Sequence, residues 1–154
     1  MKRVLFICTG NSARSQMAEG LLRSLGGNEY EVYSAGTHPS FVRPQAIQVM
    51  KEIGIDISSQ YSKSLDQFVD QAFDFVITVC DNAKEMCPVF FGAKEMLHWS
   101  IKDPVEVWGS EEVQLQAFRE ARDELKKRVM KTFHLSWRRP MGEQPPEDRE
   151  NSTC

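Results

Sequence analysis

Short apolar runs alternate with amphipathic stretches along this chain, and that alternation restricts its possible folds more than any other feature. Val4-Leu5-Phe6-Ile7 is continuous and apolar, as in a strand buried on both faces. Glu31-Val32-Tyr33-Ser34 and Phe75-Val76-Ile77-Thr78-Val79 read as a second and a third strand, and Met96-Leu97-His98-Trp99 as a weaker fourth. Helical patterns lie between them. Met17, Ala18, Leu21, Leu22 and Leu25 recur at helical spacing from Ser15 to Leu25, and Gly26-Gly27 stops that helix. Pro44 opens a second helix at its first turn, with Ala46, Ile47, Val49, Met50 and Ile53 on the apolar face and Gly54 at the end. Ser64 caps a short helix carrying Leu65, Phe68 and Val69. Ser110 caps a long final helix with Leu115, Phe118, Ala121, Leu125, Val129 and Phe133 on one face. The pattern implies an α/β fold: a three-layer domain with a four-stranded parallel sheet flanked by helices. Ligands of such sheets sit beyond the carboxyl ends of the strands. Cys8 follows the first strand and Cys80 the third, so both fall on that rim.

The chain has 154 residues, 41% of them hydrophobic, which suits one core in one domain. From Arg138 onward almost no apolar side chain remains, so residues 1–137 are expected to form the domain and 138–154 a disordered polar tail. A net charge of -3 argues against nucleic acid or an anionic membrane as a standing partner. The four cysteines are Cys8, Cys80, Cys87 and Cys154. The first apolar run is too short for a signal-peptide core or a membrane span, so a cytoplasmic setting is expected. There, catalytic or redox thiols are a better expectation than structural disulfides.

The chemistry concentrates in Cys8-Thr9-Gly10-Asn11-Ser12-Ala13-Arg14-Ser15, a loop between a buried strand and a helix start. Such a loop aims several backbone N–H groups into one concavity, and the helix N-terminus adds partial positive charge. Gly10 permits a close backbone approach or a left-handed conformation. Arg14 offers a planar fork to two oxygens of a tetrahedral oxyanion. A cysteine at the mouth of that nest is stabilised as the thiolate, the nucleophilic form. Asn11 and Ser12 or Ser15 hold the loop or donate to sulfur. Cys8 alone would otherwise read as a small buried apolar residue at a strand end.

Cys80 and Cys87 are separated by Asp81-Asn82-Ala83-Lys84-Glu85-Met86, a helix-favouring segment followed by Pro88. On a helix that spacing puts them on one face about 10 Å apart, beyond disulfide reach. By spacing alone, a buried Cys80 and an incidental Cys87 remain open. Zinc fits poorly, since short-spaced ligand pairs are missing and only His38, His98 and His134 could assist; no metal and no cofactor are expected. Asp103-Pro104 follows the fourth strand, where the carboxyl is either a turn residue or an acid placed near an anion. His98 and Trp99 read as packing or orienting residues.

These residues together resemble the low-molecular-weight protein tyrosine phosphatase superfamily and, within it, most closely the thioredoxin-coupled arsenate reductases. The resemblance runs from Val4 through Phe133. It is carried by Cys8-x5-Arg14-Ser15 with Gln16-Met17-Ala18-Glu19-Gly20, by Tyr33-Ser34-Ala35-Gly36 and by Ile55-Asp56-Ile57-Ser58. Thr78-Val79-Cys80 with Cys87-Pro88, then His98-Trp99, Asp103-Pro104 and Phe118-Arg119-x-x-Arg122-Asp123-Glu124 complete it. It implies that Cys8 attacks arsenate held by Thr9 to Ser15 and Arg14. It implies further that Asp103 protonates a departing oxygen and that Cys80 and then Cys87 carry the oxidation to thioredoxin. Phosphate would compete for the nest, and a monomer is expected. Ala13 stands where many family phosphatases carry a second loop cysteine. Some arsenate reductases bind potassium through positions equivalent to Asn11, Ser34, Tyr61 and Lys63. Tyr61 and Lys63 are not the expected ligands, so no potassium site is expected, and Lys63 would supply the charge instead. Two rivals stand beside this reading. One is a phosphotyrosine phosphatase, for which Trp108 after Asp103-Pro104 would grip a phenyl ring. The other is a non-enzymatic thiol redox sensor.

Overall fold

The computed structural model describes residues 1–79 and 92–137. Its sheet has four strands, β1 Lys2–Cys8, β2 Tyr30–Gly36, β3 Phe73–Thr78 and β4 Ala93–His98. All pair in parallel in the order β2-β1-β3-β4. The helices are α1 Arg14–Gly26, α2 Pro44–Glu52 and α3 Glu111–Phe133. This is the three-layer α/β class expected from the alternating pattern. No helix among the described residues is long and apolar enough to cross a membrane.

β1 is central, between β2 and β3, and Val4, Leu5, Phe6 and Ile7 are all fully buried. That burial on both faces is why the run reads as unbroken apolar sequence. β4 lies at the sheet edge, and its Met96 is half exposed. An edge strand with one open side tolerates Lys94 and Glu95, which explains the weaker pattern there.

Two local expectations are corrected. Ser64 Oγ does cap, accepting from Asp66 N at 3.1 Å, but it opens a single 3-10 turn, Leu65–Gln67. The chain must enter β3 at Phe73, which leaves room for one turn, and Val69 faces solvent. The third strand also starts two residues earlier than its apolar run suggests and stops at Thr78.

α3 begins at Ser110, whose Oγ accepts from Val113 N, and ends at His134 in the left-handed conformation, φ 57°. It packs against α1 and α2. From α3, Arg122 donates to Val49 O at 2.8 Å and to Glu52 at 2.9 Å, tying the two helices. Gly20 in α1 lets Ile57 come so close that a Cβ would meet its Cγ2 at 2.6 Å.

The order places a topological switch between β1 and β3, since the chain leaves β1 toward β2 and later returns on the other side. A crevice opens at the carboxyl ends of such strands. Cys8 ends β1 there, and Val79 N donates to Ile7 O at 2.9 Å, which fixes the end of β3 beside it.

Candidate active site

The loop after Cys8 is shaped by what its carbonyls bond. The oxygens of Cys8, Thr9, Gly10 and Ser12 accept from Thr37, His38, Ser40 and Arg43 N–H groups at 2.8–3.3 Å. Each peptide is planar and trans, so its N–H points opposite to its carbonyl. The N–H groups of Thr9, Gly10, Asn11 and Ala13 are therefore turned away from the 37–43 segment and toward the nest. Asn11 N shows the result, donating to Cys8 Sγ at 3.2 Å. Gly36 makes the arrangement possible, because a Cβ there would lie 2.6 Å from Thr9 O.

The left-handed residue of the loop is Asn11, φ 48°; Gly10 does not need positive φ. Of the two readings of Gly10 the close approach remains, since a Cβ there would lie 3.2 Å from Ser12 Oγ and 3.3 Å from Ser40 Oγ. Asparagine tolerates that conformation when its side chain bonds locally, and here the bonds are many. Lys63 N donates to Asn11 Oδ1 at 2.8 Å. A backbone N–H only donates, so the amide orientation is fixed and Nδ2 faces Ser15 and Ser34, at 2.8 and 2.9 Å. Ser15 Oγ accepts that hydrogen and is left to donate its own to Cys8 Sγ, 2.8 Å away. Sulfur thus receives two donors, Asn11 N–H and Ser15 O–H, and α1 opens beside it with no side-chain cap over its first N–H groups.

Behind the loop lies a buried cluster that the motifs did not reveal. Gln16 Nε2 donates to Asn11 O and Tyr61 O, both at 3.0 Å, and Ser62 Oγ donates to Asn11 O at 2.7 Å. Ser34 Oγ donates to the buried Glu19 at 2.5 Å, and Arg23 pairs with the same carboxylate at 2.6 Å. Lys63 Nζ donates to Tyr61 O at 2.7 Å and lies 3.8 Å from Glu19. Burial pushes the Lys63 ammonium down from its ordinary range, and Glu19 pulls it back up. The residues aligned with the potassium ligands of some arsenate reductases do not fit an inorganic cation here. Asn11 Oδ1 holds Lys63 N, Ser34 serves Glu19, and an ammonium already takes the Tyr61 carbonyl. Among the described residues no His, Cys, Asp or Glu group is clustered closely enough to hold a metal ion.

In front of the loop is a cleft of about 570 Å³. It is lined by Cys8, Thr9, Gly10, Ser12, Ala13 and Arg14 of the loop, by Ser40 and Arg43, and by Ser100, Ile101, Lys102, Asp103, Val105 and Glu106. Cys8, Arg14 and Asp103 are thus brought together. Arg14 is oriented by Ile101 O at 2.9 Å and faces Asp103 at 3.3 Å, so two of its donors are engaged and the rest of the guanidinium remains for an anion. Asp103 Oδ1 accepts from Val105 N at 3.0 Å, capping a 3-10 turn, Pro104–Glu106, which holds the residue at the edge of the cleft. Asn11 and Ser15 stand behind the loop rather than in the cleft wall. His98 Nδ1 is hydrogen-bonded to Thr78 Oγ1 at 2.7 Å, and buried Trp99 packs on Phe6. Trp108 is 92% exposed but does not line the cleft. Cys80, Cys87 and the helix expected between them lie outside the described residues.

Comparison with known proteins agrees with this layout. The family described as low molecular weight phosphotyrosine protein phosphatase matches residues 3–139. An arsenate reductase of Halalkalibacterium halodurans is 48% identical over 132 residues, 86% of this chain and 94% of the relative. A solved arsenate reductase in the phosphate binding state superposes with a TM-score of 0.75 at 37% identity, covering 87% of this chain and 98% of that one. A thioredoxin-dependent arsenate reductase of Corynebacterium glutamicum gives 0.69 at 31% identity, over 87% of this chain and 61% of that one.

Proposed function

Because this chain belongs to the low molecular weight phosphotyrosine protein phosphatase family, we propose that its cleft binds a tetrahedral oxyanion and that the reaction is reduction of arsenate to arsenite. The observation that carries the reading is Cys8 Sγ held by Asn11 N–H and Ser15 Oγ at the base of a cleft walled by Arg14 and Asp103. The arsenate reductases among the relatives support the choice of substrate.

Arsenate enters the nest with its oxygens against the loop N–H groups and Arg14. The Cys8 thiolate forms a bond to arsenic. Asp103 relays a proton from solvent to an arsenic-bound hydroxyl, which leaves as water. The Cys80 thiolate then attacks Cys8 sulfur. The S–As electron pair passes to arsenic, which departs as arsenite, and a Cys8–Cys80 disulfide remains. Cys87 attacks that disulfide at Cys80, releasing the Cys8 thiolate and leaving a Cys80–Cys87 disulfide. A dithiol reductant restores both thiols by exchange. Thioredoxin is the reductant proposed, by likeness to the thioredoxin-dependent relative. A reducing, cytoplasmic setting and a monomeric enzyme complete the proposal, and phosphate competes for the nest.

The test is arsenite production with thioredoxin, its reductase and NADPH, beside hydrolysis of a phosphotyrosine analogue. Cys80→Ser and Cys87→Ser should each stop multiple turnover with arsenate while sparing ester hydrolysis, which needs only Cys8, Arg14, Asp103 and water. Mass spectrometry after arsenate should find Cys8–Cys80 in Cys87→Ser and Cys80–Cys87 in the wild type. Normal arsenate turnover by both variants would refute the relay.

A further inference from the structure

The cleft holds a second arginine that the loop motif does not include. Arg43 sits just before α2, and its backbone N–H is fastened to Ser12 O of the loop at 2.9 Å. Its guanidinium carbon lies 4.7 Å from the exposed Phe41 ring, and the residue lines both the cleft and a smaller pocket beside it. Its Nε is buried with no hydrogen-bond partner. Arg3, Arg14, Arg23, Arg119, Arg122 and Arg128 each give at least one N–H to an oxygen. Among the described residues Arg43 is the arginine that does not.

Arg43 is only half-buried, but its buried Nε costs free energy while it lacks a partner. That cost is recovered when an acceptor arrives. The charge balance points to what the acceptor is. Arg14 already faces Asp103 at 3.3 Å, so much of its charge is answered inside the protein. Lys102 and Glu106 line the cleft as well and balance one another in charge, so a doubly charged oxyanion in the nest needs a further cation. Arg43 lines the same cleft and supplies one, held by the Phe41 ring and by the backbone tie to Ser12.

We propose that Arg43 is a second anion-binding residue of this cleft, and that it selects doubly charged tetrahedral oxyanions over singly charged ones. The inference rests on the reading of the cleft as an oxyanion site, and the experiment separates the two. Inorganic phosphate is titrated against the full chain, read as protection of Cys8 from alkylation, across the pH range where phosphate passes from monoanion to dianion. Arg43→Gln should weaken phosphate binding roughly 10- to 100-fold and flatten the gain in affinity with rising pH. With arsenate it should raise KM by a similar factor and leave kcat nearly unchanged. Arg43→Lys should keep the preference for the dianion but bind several-fold more weakly than wild type, lacking the planar fork. If Arg43→Gln does not fold, Arg43→Lys decides. Wild-type affinity and wild-type pH dependence in whichever variant folds would overturn the role of Arg43. Failure of the wild type itself to bind phosphate would overturn the oxyanion reading of the cleft.

Discussion

Ser15 takes a hydrogen from Asn11 Nδ2 and offers its own to Cys8 Sγ, so its hydroxyl is the last link between the loop scaffold and the sulfur. Removing it leaves Asn11 N–H as the other donor to sulfur. A hydrogen bond to a charged group contributes about 1.5–3 kcal/mol. Ser15→Ala should therefore slow iodoacetamide alkylation of Cys8 at fixed neutral pH by roughly tenfold or more, measured by peptide mapping. An unchanged rate would remove Ser15 from thiolate stabilisation. Asp103 acts at a different step. Asp103→Asn retains the cap on the 3-10 turn through its amide oxygen but cannot deliver a proton. Arsenate reduction should fall by roughly 10²–10⁴-fold while phosphate protects Cys8 at least as well as before, since the carboxylate facing Arg14 is gone. Equal rates across pH would exclude Asp103 as the acid.

At the scale of elements, Glu52 at the end of α2 binds Arg119 at 2.9–3.2 Å and Arg122 at 2.9 Å, joining α2 to α3. The Arg119 hydrogen bond, followed by that from Arg122, holds the Glu52 carboxyl below its ordinary range. A depressed carboxyl stabilises the fold above its unfolded value, about 4.3, and that contribution is lost as pH falls through the folded value. Glu52 is about a third exposed, so the effect is screened. Glu52→Gln should cost about 1 kcal/mol at neutral pH, and its melting-temperature deficit should vanish in acid. A deficit independent of pH would mean lost packing instead. The strands were legible because burial on both faces leaves an unbroken apolar run, as in Val4 to Ile7, and β4 was fainter because one side is open. Ser64 misled because one oxygen caps an α-helix or a 3-10 turn equally well. In the site, Cys8 and Arg14 could be read from their places at a strand end and a helix start, whereas Asp103 stood out only through the family resemblance. Gln16 and Ser62 could not, and Lys63 only through the resemblance. They reach Asn11 only because segment 61–64 runs beside the end of β2, with Gly36 N bonded to Lys63 O, a contact between distant positions. Arg43 was hidden for the same reason, reading in sequence as the residue before a helix-starting proline.

At the scale of the whole molecule, the question is where the folded unit stops. After α3, Leu135 N donates to Met130 O at 2.9 Å, and Leu135 and Trp137 pack against the core. Lys126 Nζ lies 3.9 Å from the Trp137 ring centroid, pinning that residue to α3. From 138 onward the sequence offers Met141 as its one large apolar side chain, among arginines, acids and prolines. We therefore propose that residues 1–137 are the autonomous unit. Truncation after Trp137 should leave arsenate turnover and melting temperature almost unchanged. Truncation after Phe133 removes the His134 cap and the Leu135 and Trp137 contacts, and should cost about 2–4 kcal/mol, lowering the melting temperature by several degrees. Calorimetry on both truncations beside the full chain reads the difference. A clear loss of stability already in the longer one would mean that residues 138–154 dock on the domain.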